Sequence, residues 1–97
     1  MAVSTFIPWI TKLYLENDRV RVYEFLAKPG EKTEMHEHPD YIVYPLTDSL
    51  VRFTYKDGRT EEVKFKKGEP KFRGAHSHIV ENIGKEEARV LVTDLKR

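Results

Sequence analysis

Four histidines stand in two pairs of equal spacing, His36 with His38 and His76 with His78. In an extended strand, residues two apart share a face, with their Cα atoms roughly 6.6–7 Å apart. Two imidazoles placed in this way can lean onto one ion at about 2.1 Å each, provided a third ligand arrives from a facing strand. Either His76 or His78 could supply that third nitrogen. The chemistry implied is the binding of a divalent transition ion, since neutral imidazole suits the zinc, nickel, copper and iron class. Two polar residues on an exposed strand edge would show the same spacing. The pattern therefore gains meaning only from the elements that carry it.

Those elements are strands, because the dominant hydrophobic period is two. Val51, Phe53 and Tyr55 alternate with Arg52, Thr54 and Lys56, and Val63 and Phe65 alternate with Glu62, Lys64 and Lys66. Between the two runs sits Lys56-Asp57-Gly58-Arg59, and Asp-Gly between alternating strands is a strong hairpin signal. A second hairpin is expected at Glu16-Asn17-Asp18, joining a short strand over Lys12–Leu15 to a longer one over Val20–Ala27. Pro29-Gly30 ends that strand as a turn. Further strands are expected at Glu34–His38, Tyr41–Leu46, His76–Asn82 and Ala88–Leu95. Apolar residues nowhere recur at helical spacing for three turns, so any helix is a short N-terminal one. Eight to ten short strands fit a sandwich or a barrel, and closure into a barrel removes exposed edges.

In this setting Gly30-x5-His36-x-His38 resembles the opening of the first cupin signature, a glycine turn leading into a strand with H-x-H. His78-x3-Asn82 resembles the end of the second signature, with Gly68 near its opening glycine. The run from His38 to Thr47 (HPDYIVYPLT) is similar to a subgroup of short bacterial cupins linked to beta-alanine degradation. The resemblance covers about Arg19 to Asp94. It implies a small all-β barrel, the double-stranded β-helix or jelly roll, with His36, His38 and His78 as metal ligands. The metal implied is a divalent transition ion, one of zinc, iron, nickel, copper or manganese. Cupins that bind metal usually add a glutamate after a gap of three or four residues beyond H-x-H, where this chain has Ile42 and Val43. The fourth position therefore falls to Tyr41, His76 or water. The lost carboxylate removes negative charge and lowers the affinity for any divalent ion. If the chain is an enzyme, the resemblance implies a metal-dependent dioxygenase, isomerase or decarboxylase. A barrel that only holds a small ligand, with or without metal, is the other reading.

Remaining side chains have more ordinary readings. Asp40 is a candidate to orient one of the histidines, or a turn residue after Pro39. Tyr23, Tyr44 and Tyr55 read as barrel wall, Trp9 and Phe72 as packing or interface groups, and Asn82 as a holder of backbone.

At 97 residues the chain is one domain, read as an N-terminal arm over 1–12 and a barrel over 13–95. Lys+Arg total 17 against 16 Asp+Glu, a net charge of +1, which gives no reason to expect nucleic acid. There is no cysteine, and so no disulfide or thiolate chemistry. Pro8 interrupts the apolar residues Phe6, Ile7, Trp9 and Ile10, which look like neither a signal peptide nor a membrane span. A cytoplasmic location is the expectation, with a small-molecule ligand, no membrane partner, a homodimer, and the N-terminal apolar group packed on the barrel or across that dimer.

Overall fold

The alternating runs become nine strands among residues 9–96, which the computed structural model describes. They are β1 (Ile10–Glu16), β2 (Val20–Ala27), β3 (His36–His38), β4 (Tyr41–Pro45), β5 (Ser49–Tyr55), β6 (Thr60–Phe65), β7 (Lys71–Arg73), β8 (His76–Asn82) and β9 (Ala88–Leu95). They form a five-stranded sheet, ordered β1-β2-β9-β4-β7, and a four-stranded sheet, ordered β3-β8-β5-β6. All pairings are antiparallel. The short N-terminal helix and the packing of Phe6 and Ile7 lie outside the described residues.

Strands β2, β4, β5, β6, β8 and β9 send alternate residues into the space between the sheets. From the first sheet these are Tyr23, Phe25 and Ala27 of β2, Tyr41 and Val43 of β4, and Ala88, Val90 and Val92 of β9. The second sheet contributes Val51 and Phe53 of β5, Val63 and Phe65 of β6, and Val80 of β8. These residues are the buried apolar core. Asn82, buried at the far end, holds the Ala27 and Glu86 carbonyls and accepts from the Gly84 N–H, the backbone-holding role read for it. Both hairpins form as read. The Asn17 side chain accepts the Arg19 and Val20 N–H groups in the β1–β2 turn. Gly58 takes φ +91° between β5 and β6.

Four expectations change. β1 begins at Ile10, so residues 10–12 belong to the sheet and not to an arm. β3 covers only His36–His38, because Thr33 is already bonded to β8 through Val80 and the Glu34 carbonyl turns to the His36 ring. β7 is an additional strand that adds to the open edge of β4. Tyr44 is not barrel wall: the alternation that turns Tyr41, Val43 and Pro45 inward leaves it on the outer face, 43% exposed.

Candidate metal centre

Strands β3 and β8 bring the two histidine pairs together. Their register sets His36 against His78 and His38 against His76, with all four rings at one end of the barrel interior. His36, His38 and His78 form a nearly equilateral cluster, with ring centroids 4.9, 4.7 and 5.0 Å apart. One nitrogen from each lies within 4.8 Å of the others. Two donors about 2.1 Å from one ion are at most about 4.2 Å apart, so holding an ion requires only a small closure of the rings.

The hydrogen bonds decide which nitrogens are available. Nδ1 of His36 is 2.9 Å from the Glu34 carbonyl, which can only accept, so this nitrogen carries the proton. Nδ1 of His38 is 3.1 Å from the Asp94 carboxylate and donates to it in the same way. For His78 the partner is another imidazole. His76 Nδ1 lies 2.9 Å from the Gly74 carbonyl and is therefore protonated, which leaves His76 Nε2 as an acceptor. His78 Nδ1 donates to that nitrogen across 2.9 Å. All three rings thus direct their protons outward and keep a bare Nε2. The bare Nε2 of His78 is fully enclosed and has no partner in the protein. Carboxylate or carbonyl anchors on the far nitrogen are the usual means of fixing a ligating histidine.

The electrostatics favour neutral imidazoles, the form a metal needs. Burial pushes His36 down to about 4. Burial, reinforced by the neighbouring His36, His38 and His76 rings, pushes His78 down to about 2. His76 is lowered as well, chiefly by burial. Burial raises the Tyr23 and Tyr41 phenols, which keeps both protonated.

Neither residue considered for a fourth position stands free. His76 Nε2 is engaged by His78, and the Tyr41 hydroxyl lies 3.3 Å from that same nitrogen, with its ring stacked 4.3 Å from His38. Where metal-binding cupins place a carboxylate, Val43 faces the cavity and Ile42 faces out. Asp40 does not orient a histidine; it accepts the Ala75 N–H at 2.9 Å, and Asp94 has the role considered for it. Trp9 packs against the core as read, but its partner, and one contact elsewhere, went unread in the sequence. Trp9 stacks on His36 at 4.3 Å and closes the seam between β2 and β3. At the opposite seam, Glu61 accepts the Tyr55 hydroxyl at 2.5 Å and pairs with Arg73 at 3.2 Å, joining the two sheets. Between these closures is a cavity of about 30 Å³, walled by Trp9, Tyr23, Tyr41, Phe53 and valines around the three histidines.

No family model and no curated protein matches the chain. Solved structures do. A cupin domain from Bordetella pertussis Tohama I is 26% identical, with a TM-score of 0.79 over 89% of this chain and 91% of that one. A double-stranded β-helix protein from Klebsiella pneumoniae is 17% identical, with a TM-score of 0.70 over 98% of this chain and 84% of that one, a likeness of fold alone. The polyketide cyclase RemF from Streptomyces resistomycificus is 30% identical, with a TM-score of 0.60 over 84% of this chain; the match spans 57% of the cyclase. The chain has the double-stranded β-helix fold of cupin domains, and these neighbours support its place in the cupin superfamily.

Proposed function

We propose that the chain is a small metal-binding cupin, in which His36, His38 and His78 hold one divalent transition ion and the barrel takes a small molecule beside it. One observation carries the reading: three imidazoles, each with its Nδ1 already donating, keep a bare Nε2 apiece in one small apolar pocket, with one nitrogen of each ring within 4.8 Å of the others. Such an ion would act as a Lewis acid and lower the pKa of a bound water. The protein's own part is to hold the three rings in one tautomer, exclude bulk water with Trp9, and leave an open position. Tyr41 and His76 form the nearest proton-carrying pair. The similarity to cupins linked to beta-alanine degradation, resting on the run from His38 to Thr47, belongs to this reading.

A second reading, a metal-free cupin that holds a small ligand, is favoured by Val43 standing where a carboxylate would raise metal affinity. Turnover of a substrate as large as a polyketide is not favoured. Sites for drug-sized ligands run to roughly 300–1,000 Å³, against the 30 Å³ here. Elemental analysis of protein purified without an affinity tag separates the two readings. About one transition ion per chain, lost in His78→Ala, is the expected result. A chain that neither retains such an ion nor takes one up after dialysis against zinc, nickel, copper or iron(II) would leave only the second reading.

A further inference from the structure

We infer that Tyr23 is a ligand-positioning residue, whose hydroxyl donates a hydrogen bond to a small anion held at the three imidazoles. The inference rests on the metal reading above and deepens it by naming the ligand class: an anion of one to three heavy atoms whose donor atom also accepts a hydrogen bond, such as hydroxide or azide.

Tyr23 projects inward from β2 and is completely buried. Its ring belongs to the wall of the histidine cavity. Its hydroxyl is enclosed and has no hydrogen-bond partner, and the enclosed Nε2 of His78, which lines the same cavity, has none either. A buried hydroxyl without a partner is a net cost to the fold, and phenylalanine would line the wall equally well without that cost. Two of its neighbours are donors only: Trp9 meets the Tyr23 ring edge-on at 5.7 Å, and the Arg21 guanidinium covers its face at 5.1 Å. Asp94 receives the His38 Nδ1 proton on Oδ1 and makes no hydrogen bond to Tyr23. Tyr23, with an unpartnered hydroxyl, and His78, with an unshared nitrogen lone pair, thus line one small apolar space, and a ligand that binds a metal through an atom able to accept a hydrogen bond would satisfy both.

Size narrows the ligand. A cavity of 30 Å³ holds about two water-sized groups. With one position taken by the ion, what remains suits the donor atom of a small anion.

The test uses copper(II)-loaded protein titrated with azide and followed by the azide-to-copper charge-transfer absorption. Tyr23→Phe should bind copper as the wild type does, while its azide dissociation constant rises at least about tenfold, the worth of one hydrogen bond to a charged group. The melting temperature of metal-free Tyr23→Phe should equal or exceed that of the wild type, which a packing role for the hydroxyl would not produce. A second measurement needs no variant: in the zinc-loaded wild type, azide should move the Tyr23 hydroxyl proton resonance downfield. Equal azide affinities, an unmoved resonance, or a tyrosinate-to-copper band lost in the variant would each overturn the assignment, the last by making Tyr23 a ligand. A wild type that takes up no copper would instead remove the metal reading, and this inference with it.

Discussion

Asp94 and His76 decide which nitrogen of His38 and of His78 stays bare. Removing Asp94 leaves His38 free to turn or to change tautomer, and losses of such anchors typically cost 10–100-fold in metal affinity. Asp94→Ala should fall in that range when zinc affinity is measured by competition with a chelator, while His78→Ala should abolish binding. The same burial makes the metal-free protein acid-sensitive. His36 and His78 are held near 4 and 2 in the folded state, against about 6.5 when unfolded. Between these values the unfolded chain binds more protons, so stability is complete above about pH 6.5 and is lost as pH falls toward 4. Each histidine removes up to about 1.4 kcal/mol per pH unit across its window. Urea titrations at pH 7.5, 6 and 5 should show a falling midpoint, and His36→Ala should flatten the trend. The histidines themselves were legible, because H-x-H on a strand places both rings on one face whatever the rest of the chain does. Asp94 was less so. Its one signal is an acid in the inward phase of β9 after Val90 and Val92, a place a carboxylate takes only with a partner. The Glu34 and Gly74 carbonyls, which fix two of the tautomers, are backbone atoms and leave no mark in side-chain types.

At the level of elements, a strand was readable where one face alternates and both ends carry turn chemistry. β2, β8 and β9 meet both conditions, and their observed limits coincide with those read from the sequence. β7 meets neither. It has three residues after Pro70, and its middle residue, Phe72, points outward at 62% exposure, so it exists only because β4 offers an open edge. Trp9 was equally hidden, since its stacking depends on β1 pairing with β2 and delivering the ring across the seam to β3. The turn at Gly58 allows a separate check on the hairpin reading. At φ +91° a Cβ meets no atom within 4 Å, so backbone strain is the sole penalty for a side chain there. Gly58→Ala should lower stability by about 1 kcal/mol in urea unfolding. Metal affinity should stay at the wild-type value, because this turn contributes nothing to the cavity wall.

Over the whole molecule, polarity divides unevenly between the two outer faces. On the four-stranded sheet, β6 presents Glu62, Lys64 and neighbouring charges to water. On the five-stranded sheet, Ile42 and Tyr44 of β4 lie on one face, Ile42 pairs in register with Phe72 of β7, and the three are 38%, 43% and 62% exposed. At the opposite edge of that sheet, β1 shows Leu13 and Leu15 half exposed along an edge that pairs with no other strand among the described residues. Contiguous apolar side chains and an open edge are the features that small β-proteins usually cover. A chain of 97 residues also gains from association, since alone it buries only about two thirds of its unfolded surface. The expected homodimer is therefore sought on this face, with Phe72 near its centre, instead of on the N-terminal apolar group alone. Sedimentation equilibrium at micromolar concentration should return twice the chain mass of 11.4 kDa. Phe72→Asp, which would bury a charge in any such contact, should return the single-chain mass and a melting temperature that no longer rises with protein concentration. Because Phe72 faces away from the histidines, metal stoichiometry per chain should not change. A wild type that sediments as one chain at these concentrations would end the expectation of a dimer, and would leave the apolar face exposed in the isolated protein.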